Sequence, residues 1–216
     1  MNSENLIAET LMPLPQSVPG PILVTDRLLM RPFQWSDLDV LAALASDPDI
    51  MRYIGKGPET REEVTQGVER AIRRWHEQGM SWWAVLDRHD ERVIGRCCLQ
   101  HVRDLPEVEV GCAFARQHWG RGLASEAVRA ALDHGFRVLG LQTVVALTHP
   151  ENAPSRRMLE RCGFMLEATI PLRGKRLNLY RIAAQTWAEY STGSLASRQT
   201  RTGTTSYETE VKEGLE

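Results

Sequence analysis

A strand-like run ending at Phe114 is followed by Gln117-His-Trp-Gly-Arg-Gly-Leu-Ala-Ser-Glu126 and then by the apolar stripe of a helix. The change from period-two to period-3.6 patterning across so few residues predicts a strand–turn–helix unit. Two glycines, Gly120 and Gly122, let that turn be tight. In such a turn successive N–H groups converge on an anion, and the helix adds its positive end and unpaired donors, which suits a pyrophosphate. Arg121 between the glycines and Arg116 before them add charge-assisted contacts. Two other readings use the same residues. One is a plain glycine turn leading into a core helix. The other is a dinucleotide turn, which needs G-x-G-x-x-G/A and an acidic residue after the next strand. Here Ser125 holds the last small position and Thr148-His149 end that strand.

The other elements follow from periodicity and punctuation. Arg27–Phe33 reads as a short strand, and Ser36 as the cap of a helix through Leu38, Leu41, Ala42 and Ala45. Thr60-Arg-Glu-Glu63 is a capping box before Val64, Val68, Ala71, Ile72 and Trp75, with Gly79 as the stop. Trp82–Leu86, Val93–His101 and Val108–Phe114, joined by polar or proline-bearing turns, predict an antiparallel meander. A helix over Ala124–Val138, a strand at Thr143–Leu147, a short helix at Pro154–Arg161 and strands at Phe164–Ala168 and Leu177–Ile182 complete the order βααβββαβαββ. That order predicts a mixed α/β fold, a mostly antiparallel central sheet flanked by helices with one β-α-β unit in its second half.

A single domain of 216 residues buries roughly 70% of its unfolded surface, enough for a core without staples. The body is expected over 23–190, after a proline-bearing loose arm at 1–22. Residues 191–216 hold ten Ser or Thr and five apolar residues among 26, the composition of a disordered tail. A net charge of -2 argues against a nucleic-acid partner. No apolar run approaches the ~20 residues that span a membrane. The first twenty residues carry Glu4, Glu9 and three prolines but no basic cluster, unlike a signal peptide. Cys97, Cys98, Cys112 and Cys162 form no C-x-x-C pair and lack zinc-site spacing, so they read as packed thiols of a reducing compartment. A cytoplasmic protein without a metal site, monomeric or homodimeric, is expected.

Two segments carry a family resemblance. Gln117-x-x-Gly120-x-Gly122 after a strand resembles the Q/R-x-x-G-x-G/A loop of the GNAT N-acetyltransferase superfamily. His149-Pro-Glu-Asn152-Ala-Pro-Ser155-Arg-Arg-Met-Leu159-Glu-Arg-Cys-Gly163-Phe164 resembles that superfamily's second cofactor segment. Its N-x-x-S and E-x-x-G-F spacing is most similar to the ribosomal-protein N-terminal (alanine/serine) acetyltransferase subgroup, as are Glu109-Val-Gly111 and Thr25-Asp-Arg-Leu28. The resemblance covers about 23–190. It implies the GNAT acyl-CoA N-acyltransferase fold, acetyl-CoA as cofactor, and direct transfer in a ternary complex to a primary amine of a peptide N-terminus or small molecule. Backbone groups of Ala113 and Phe114 would bond the pantetheine arm. Gln117–Gly122, with Arg116, Arg121, Leu123 and Ala124, would cradle the pyrophosphate. Asn152 would reach the cofactor and Arg156 its phosphates, although Asn152 also reads as a plain helix cap and Arg157 as a solvated face. A non-catalytic acyl-CoA sensor using the same loop is the alternative.

An amine protonated at neutral pH must lose its proton before attacking a thioester, so a carboxylate is the expected base, directly or through water. Glu107 and Glu109 alternate with Val108 and Val110 and share one strand face. Glu109 matches a glutamate that the family carries on this strand and is the candidate base; an ordinary solvent-facing glutamate is the competing reading. Many superfamily members have a tyrosine seven residues after the Asn, where this chain has Leu159. The subgroup points instead to Ser155 as donor to the leaving thiolate, against a plain helix-start serine. The acceptor is expected against residues 47–79 and the Ile170–Arg176 turn. Arg173, Lys175 and Arg176 make that turn basic where the family usually shows an acid. Trp75, Trp82 and Trp83 line this pocket or fill the core, and His118 and His149 read as incidental loop histidines.

Overall fold

The strands are β1 (Leu23–Val24), β2 (Leu28–Pro32), β3 (Trp82–Asp87), β4 (Val93–His101), β5 (Val108–Phe114), β6 (Thr143–Thr148), β7 (Met165–Leu172) and β8 (Lys175–Ala183). The helices are α1 (Leu38–Ser46), α2 (Pro48–Met51), α3 (Arg61–Gln78), α4 (Leu123–Arg137), α5 (Ala153–Arg161) and α6 (Ala184–Gln199). The computed structural model describes residues 18–101, 105–172 and 174–199, with backbone alone from 192. Arg173, most of the N-terminal arm and the end of the C-terminal segment lie outside the described residues. The strands form one sheet in the order β1-β2-β3-β4-β5-β6-β8-β7. Every pairing is antiparallel except β5 with β6, which α4 joins as the β-α-β unit. Among the described residues no helix is long and apolar enough to cross a membrane.

Alternation along the central strands assigns each face its helices. Cys97 and Leu99 of β4 and Val108, Val110 and Phe114 of β5 pack with Leu123, Ala127, Val128 and Ala131 of α4. On the opposite face, Ala84, Leu86 and Ala113 pack with Leu41 and Ala45 of α1 and Val64, Val68 and Ile72 of α3. The capping box forms as the sequence predicts: Glu63 N–H donates to Thr60 Oγ1 (3.3 Å) and Thr60 N–H to Glu63 Oε2 (2.8 Å). Gly79 ends α3 at φ 65.

Three expectations change. Ser36 does not cap α1. Asp37, 3% exposed, accepts two bonds from Arg31 (2.7 and 2.8 Å) and one from Gln34 N–H (2.8 Å), and this buried carboxylate organises the entry to the helix. Pro48–Met51 is a separate short helix, α2, with Asp47 as its cap. The expected boundary at residue 190 falls inside α6, and two aromatic side chains at or just before that boundary anchor the helix. Trp187 is buried and donates to Asp133 Oδ1 (3.0 Å), while the Tyr190 hydroxyl donates to Arg161 C=O and accepts from Arg129 (3.0 Å). Burying the Trp187 ring and part of the Tyr190 ring offsets the ordering of that helix turn.

Candidate active site

The parallel ladder is short. Val108 pairs with Val144 and Glu109 with Val145, and there the register ends, while β6 continues along β8 to Thr148. The sheet therefore forks beyond Glu109. Ala115 N–H donates to Ile94 C=O (2.9 Å), which fixes the phase of the β4–β5 ladder. The hydrogen-bonded pairs are then Ala113 with Arg96 and Gly111 with Cys98. Main-chain groups of Cys112 and Phe114 point the other way, into the fork. This corrects one expectation: the Ala113 backbone is engaged with β4, and Cys112 is the residue whose N–H and C=O face the opening. Phe114 contributes its N–H, because its carbonyl accepts the Trp119 indole (2.7 Å).

At the end of β5 the chain makes a 3-10 turn, Arg116–His118, and then the glycine turn. Gly120 and Gly122 have φ of 74° and 77°, left-handed conformations that side chains resist. Gly122 caps α4 without a side-chain bond, so the first N–H groups of Leu123, Ala124 and Ser125 are left without intrahelical partners, next to open space at Gly120 and to Arg27 Nη2 beside Gly122. Leu123 is buried and can offer only its backbone; Ala124 is half-buried. Gln117 and Arg121 are exposed, and Arg121 lies against His118 Nδ1 (3.3 Å). Arg116 pairs with Asp49 of α2 (2.6 Å), tying the turn to the helical layer.

The second segment lies after β6. Asn152 Oδ1 accepts Ser155 N–H (3.2 Å), so Asn152 is the cap of α5 and its amide NH₂ remains available. The Ser155 hydroxyl makes no hydrogen bond among the described residues and is half-buried. Arg156 donates to Pro150 C=O (3.1 Å), while its buried Nε has no partner. Arg157 is exposed.

Glu109 sits on the last paired rung, half-buried, and accepts from Gln100 Nε2 (3.4 Å), whose Oε1 accepts from Arg74 (3.0 Å). Glu107 is held instead by Arg181 (2.6 Å), a structural ion pair. Burial pushes the thiols of Cys97 and Cys98 well up, raises Cys162 and takes Cys112 to about 12, so these cysteines stay protonated and are poor nucleophiles. A half-buried carboxylate, an open strand edge and a helix start with unpaired N–H groups thus adjoin one fork.

Residues 27–165 match the family model of the acetyltransferase (GNAT) domain. The chain belongs to the GNAT acetyltransferase family. An uncharacterized N-acetyltransferase of Bacillus licheniformis is 30% identical over 164 residues, 73% of this chain and 92% of that protein. The crystal structure of a GNAT-family acetyltransferase from Bacillus anthracis superimposes with a TM-score of 0.67 at 27% identity, over 76% of this chain and 99% of that one. The fold is shared by spermidine N-acetyltransferase from Vibrio cholerae, solved in complex with CoA and spermine, at 23% identity and TM-score 0.65, over 76% and 99% of the two chains. Membership favours an N-acetyltransferase enzyme over a sensor module.

Within this GNAT domain, Trp75 and Trp83 are core, meeting edge-to-face at 5.0 Å, whereas Trp82 is half-buried beneath the Arg96 guanidinium (5.1 Å). One clamp is absent from the sequence reading. Glu126, in the first turn of α4, accepts from Thr25 Oγ1 (2.6 Å), Arg27 N–H (2.9 Å) and Arg27 Nε (2.7 Å), and Arg27 also donates to Arg121 C=O (2.9 Å). Burial alone would raise the Glu126 pKa, but the bonds from Thr25 and Arg27 hold it below the usual carboxylate value. A depressed folded-state pKa stabilises at pH above the unfolded value and stops doing so as pH falls through the folded one. Glu126→Gln is therefore expected to cost about 1–2 kcal/mol at pH 7, lowering the melting midpoint by about 4 °C. The deficit should narrow below about pH 4, and an equal deficit at pH 7 and pH 3 would exclude the ionised clamp.

Proposed function

We propose that the fork and the glycine turn bind acetyl-CoA and that the chain passes its acetyl group to a primary amine. The single observation that carries this is the ladder-free edge of β5, Cys112 and Phe114, running directly into an open cradle of unpaired N–H groups at Gly122. An extended amide-bearing arm suits the first and a pyrophosphate the second. Acetyl-CoA would supply the acetyl thioester. Cys112 and Phe114 hold the arm in register, and the N–H groups of Leu123 and Ala124, with Arg121, hold the phosphates. Asn152 and Arg156 support the same ligand from α5, and the buried, unpartnered Arg156 Nε suits an anionic oxygen. Glu109 takes the amine proton, directly or through water, and Ser155 Oγ–H donates to the departing sulfur. The free cysteines suit a reducing compartment such as the cytoplasm. Kinship with the ribosomal-protein subgroup, and with it a peptide N-terminus as acceptor, rests on the Asn152-x-x-Ser155 and Glu160-x-x-Gly163-Phe164 spacing.

Thermal melting tests the cofactor half. Ligand at 100 times its Kd adds about 2.7 kcal/mol to stability, a rise of about 5–10 °C for a chain of this length. Acetyl-CoA and CoA are expected to produce it and NAD is not; a shift with NAD alone, or none with CoA, would return the turn to a purely structural role.

A further inference from the structure

Beyond the fork, the α2–α3 connection, the β6–α5 loop and the β7–β8 hairpin enclose an open cleft of about 670 Å³. It is lined by Arg52, Tyr53, His149, Glu151, Lys175 and Arg176. Tyr53 stacks on His149 at 5.1 Å, forming a flat aromatic wall. His149 Nδ1 accepts Glu151 N–H (3.2 Å), so in the neutral ring Nε2 is the donor. Three permanent cations in this lining face one carboxylate. The neighbouring acid, Asp49, is already shared by Arg52 (2.7 Å) and Arg116 (2.6 Å). Lys175 donates to Gly55 C=O (2.6 Å), a neutral partner that leaves its charge uncompensated. The Arg176 side chain makes no hydrogen bond or ion pair among the described residues, although its backbone belongs to the β7–β8 ladder.

On the acetyltransferase reading above, we propose that the acceptor is an amine that also carries an anionic group, a carboxylate or a phosphate. The Arg52–Lys175–Arg176 side of the cleft holds that group. A polyamine meets like charge there, and screening by salt weakens both the attraction and the repulsion.

CoA release by the full-length protein at saturating acetyl-CoA is compared for matched amines: phosphoethanolamine against ethanolamine, and Ser-Asp-Glu amide against Ser-Asn-Gln amide, with spermidine alongside. The two pairs separate phosphate from carboxylate recognition. The anionic member of at least one pair is expected to exceed its neutral partner about tenfold or more in kcat/KM, with a ratio that falls as salt rises. K175E/R176E should bring that ratio to one or below while the acetyl-CoA melting shift persists; if this variant does not fold, K175Q/R176Q reads the same ratio. Equal or better use of spermidine or the neutral amines, no transfer to any acidic amine, or a ratio that survives the substitutions overturns the proposal. Equal or better transfer to spermidine would do so while leaving the acetyltransferase reading intact, whereas an absent CoA melting shift would remove that reading itself.

Discussion

Gly122→Val is expected to abolish the acetyl-CoA-induced rise in melting midpoint and to lower acetyl transfer at least a hundredfold. The position has φ 77°, where a side chain pays a backbone penalty of about 1–2 kcal/mol, and a β-branched one more. A Cβ there would lie 3.7 Å from Arg27 Nη2, an ordinary contact, so the fold tolerates the substitution apart from that strain. The functional loss has another cause. Gly122 is the cap of α4, and in the proposed function the N–H groups just after it hold the phosphates, so isopropyl bulk would fill the space an anion needs. Losing two hydrogen bonds to a charged group costs about 3–6 kcal/mol, which exceeds a hundredfold in affinity. Gly140→Val is the control. Gly140 also has positive φ, 67°, with open space around it, but it lies beyond the far end of α4. It should melt a few degrees low and bind acetyl-CoA normally. Calorimetric affinity unchanged in Gly122→Val would remove the phosphates from this turn.

The parts of the site that local chemistry decides were legible from residues alone. Gly120 and Gly122 are needed wherever a strand turns tightly into a helix, and Asn152 ahead of Pro154 announces a cap. The Thr60–Glu63 box locates the start of α3 without any knowledge of the fold. What depended on pairing was not legible. Whether Cys112 or Ala113 opens its backbone to the fork is a matter of ladder phase, fixed by Ala115 N–H on Ile94 C=O, and a one-residue difference reverses it. The Glu126 clamp joins residues about a hundred positions apart, so neither Thr25 nor Arg27 signals it locally. The basic cleft assembles from three separate loops; the sequence showed Lys175 and Arg176 as a charged turn but not Tyr53 stacked on His149. In α6, Trp187 and Tyr190 are tied to Asp133, Arg129 and Arg161, contacts between distant residues that composition does not show.

Glu109→Gln is expected to lower kcat/KM about 10²–10³-fold at neutral pH, within the usual contribution of a positioned base. The substitution keeps the size of the side chain and an oxygen to accept from Gln100, which Arg74 holds from behind, so the rung with Val145 should survive and melting should change little. The pH dependence separates a base from a merely polar neighbour. In the parent protein the acid limb of kcat/KM reports the ionisation that frees the base. Without the carboxylate, only amine already deprotonated by solvent reacts. The rate of the variant then climbs about tenfold per pH unit until the pKa of the amine, and the deficit is greatest in acid and shrinks as pH rises. Glu107→Gln supplies the contrast on the same face of β5. Its carboxylate is committed to Arg181, so that variant should lose stability and keep the parent profile. A Glu109→Gln profile parallel to that of the parent at every pH would take Glu109 out of proton transfer and leave water alone to deprotonate the acceptor.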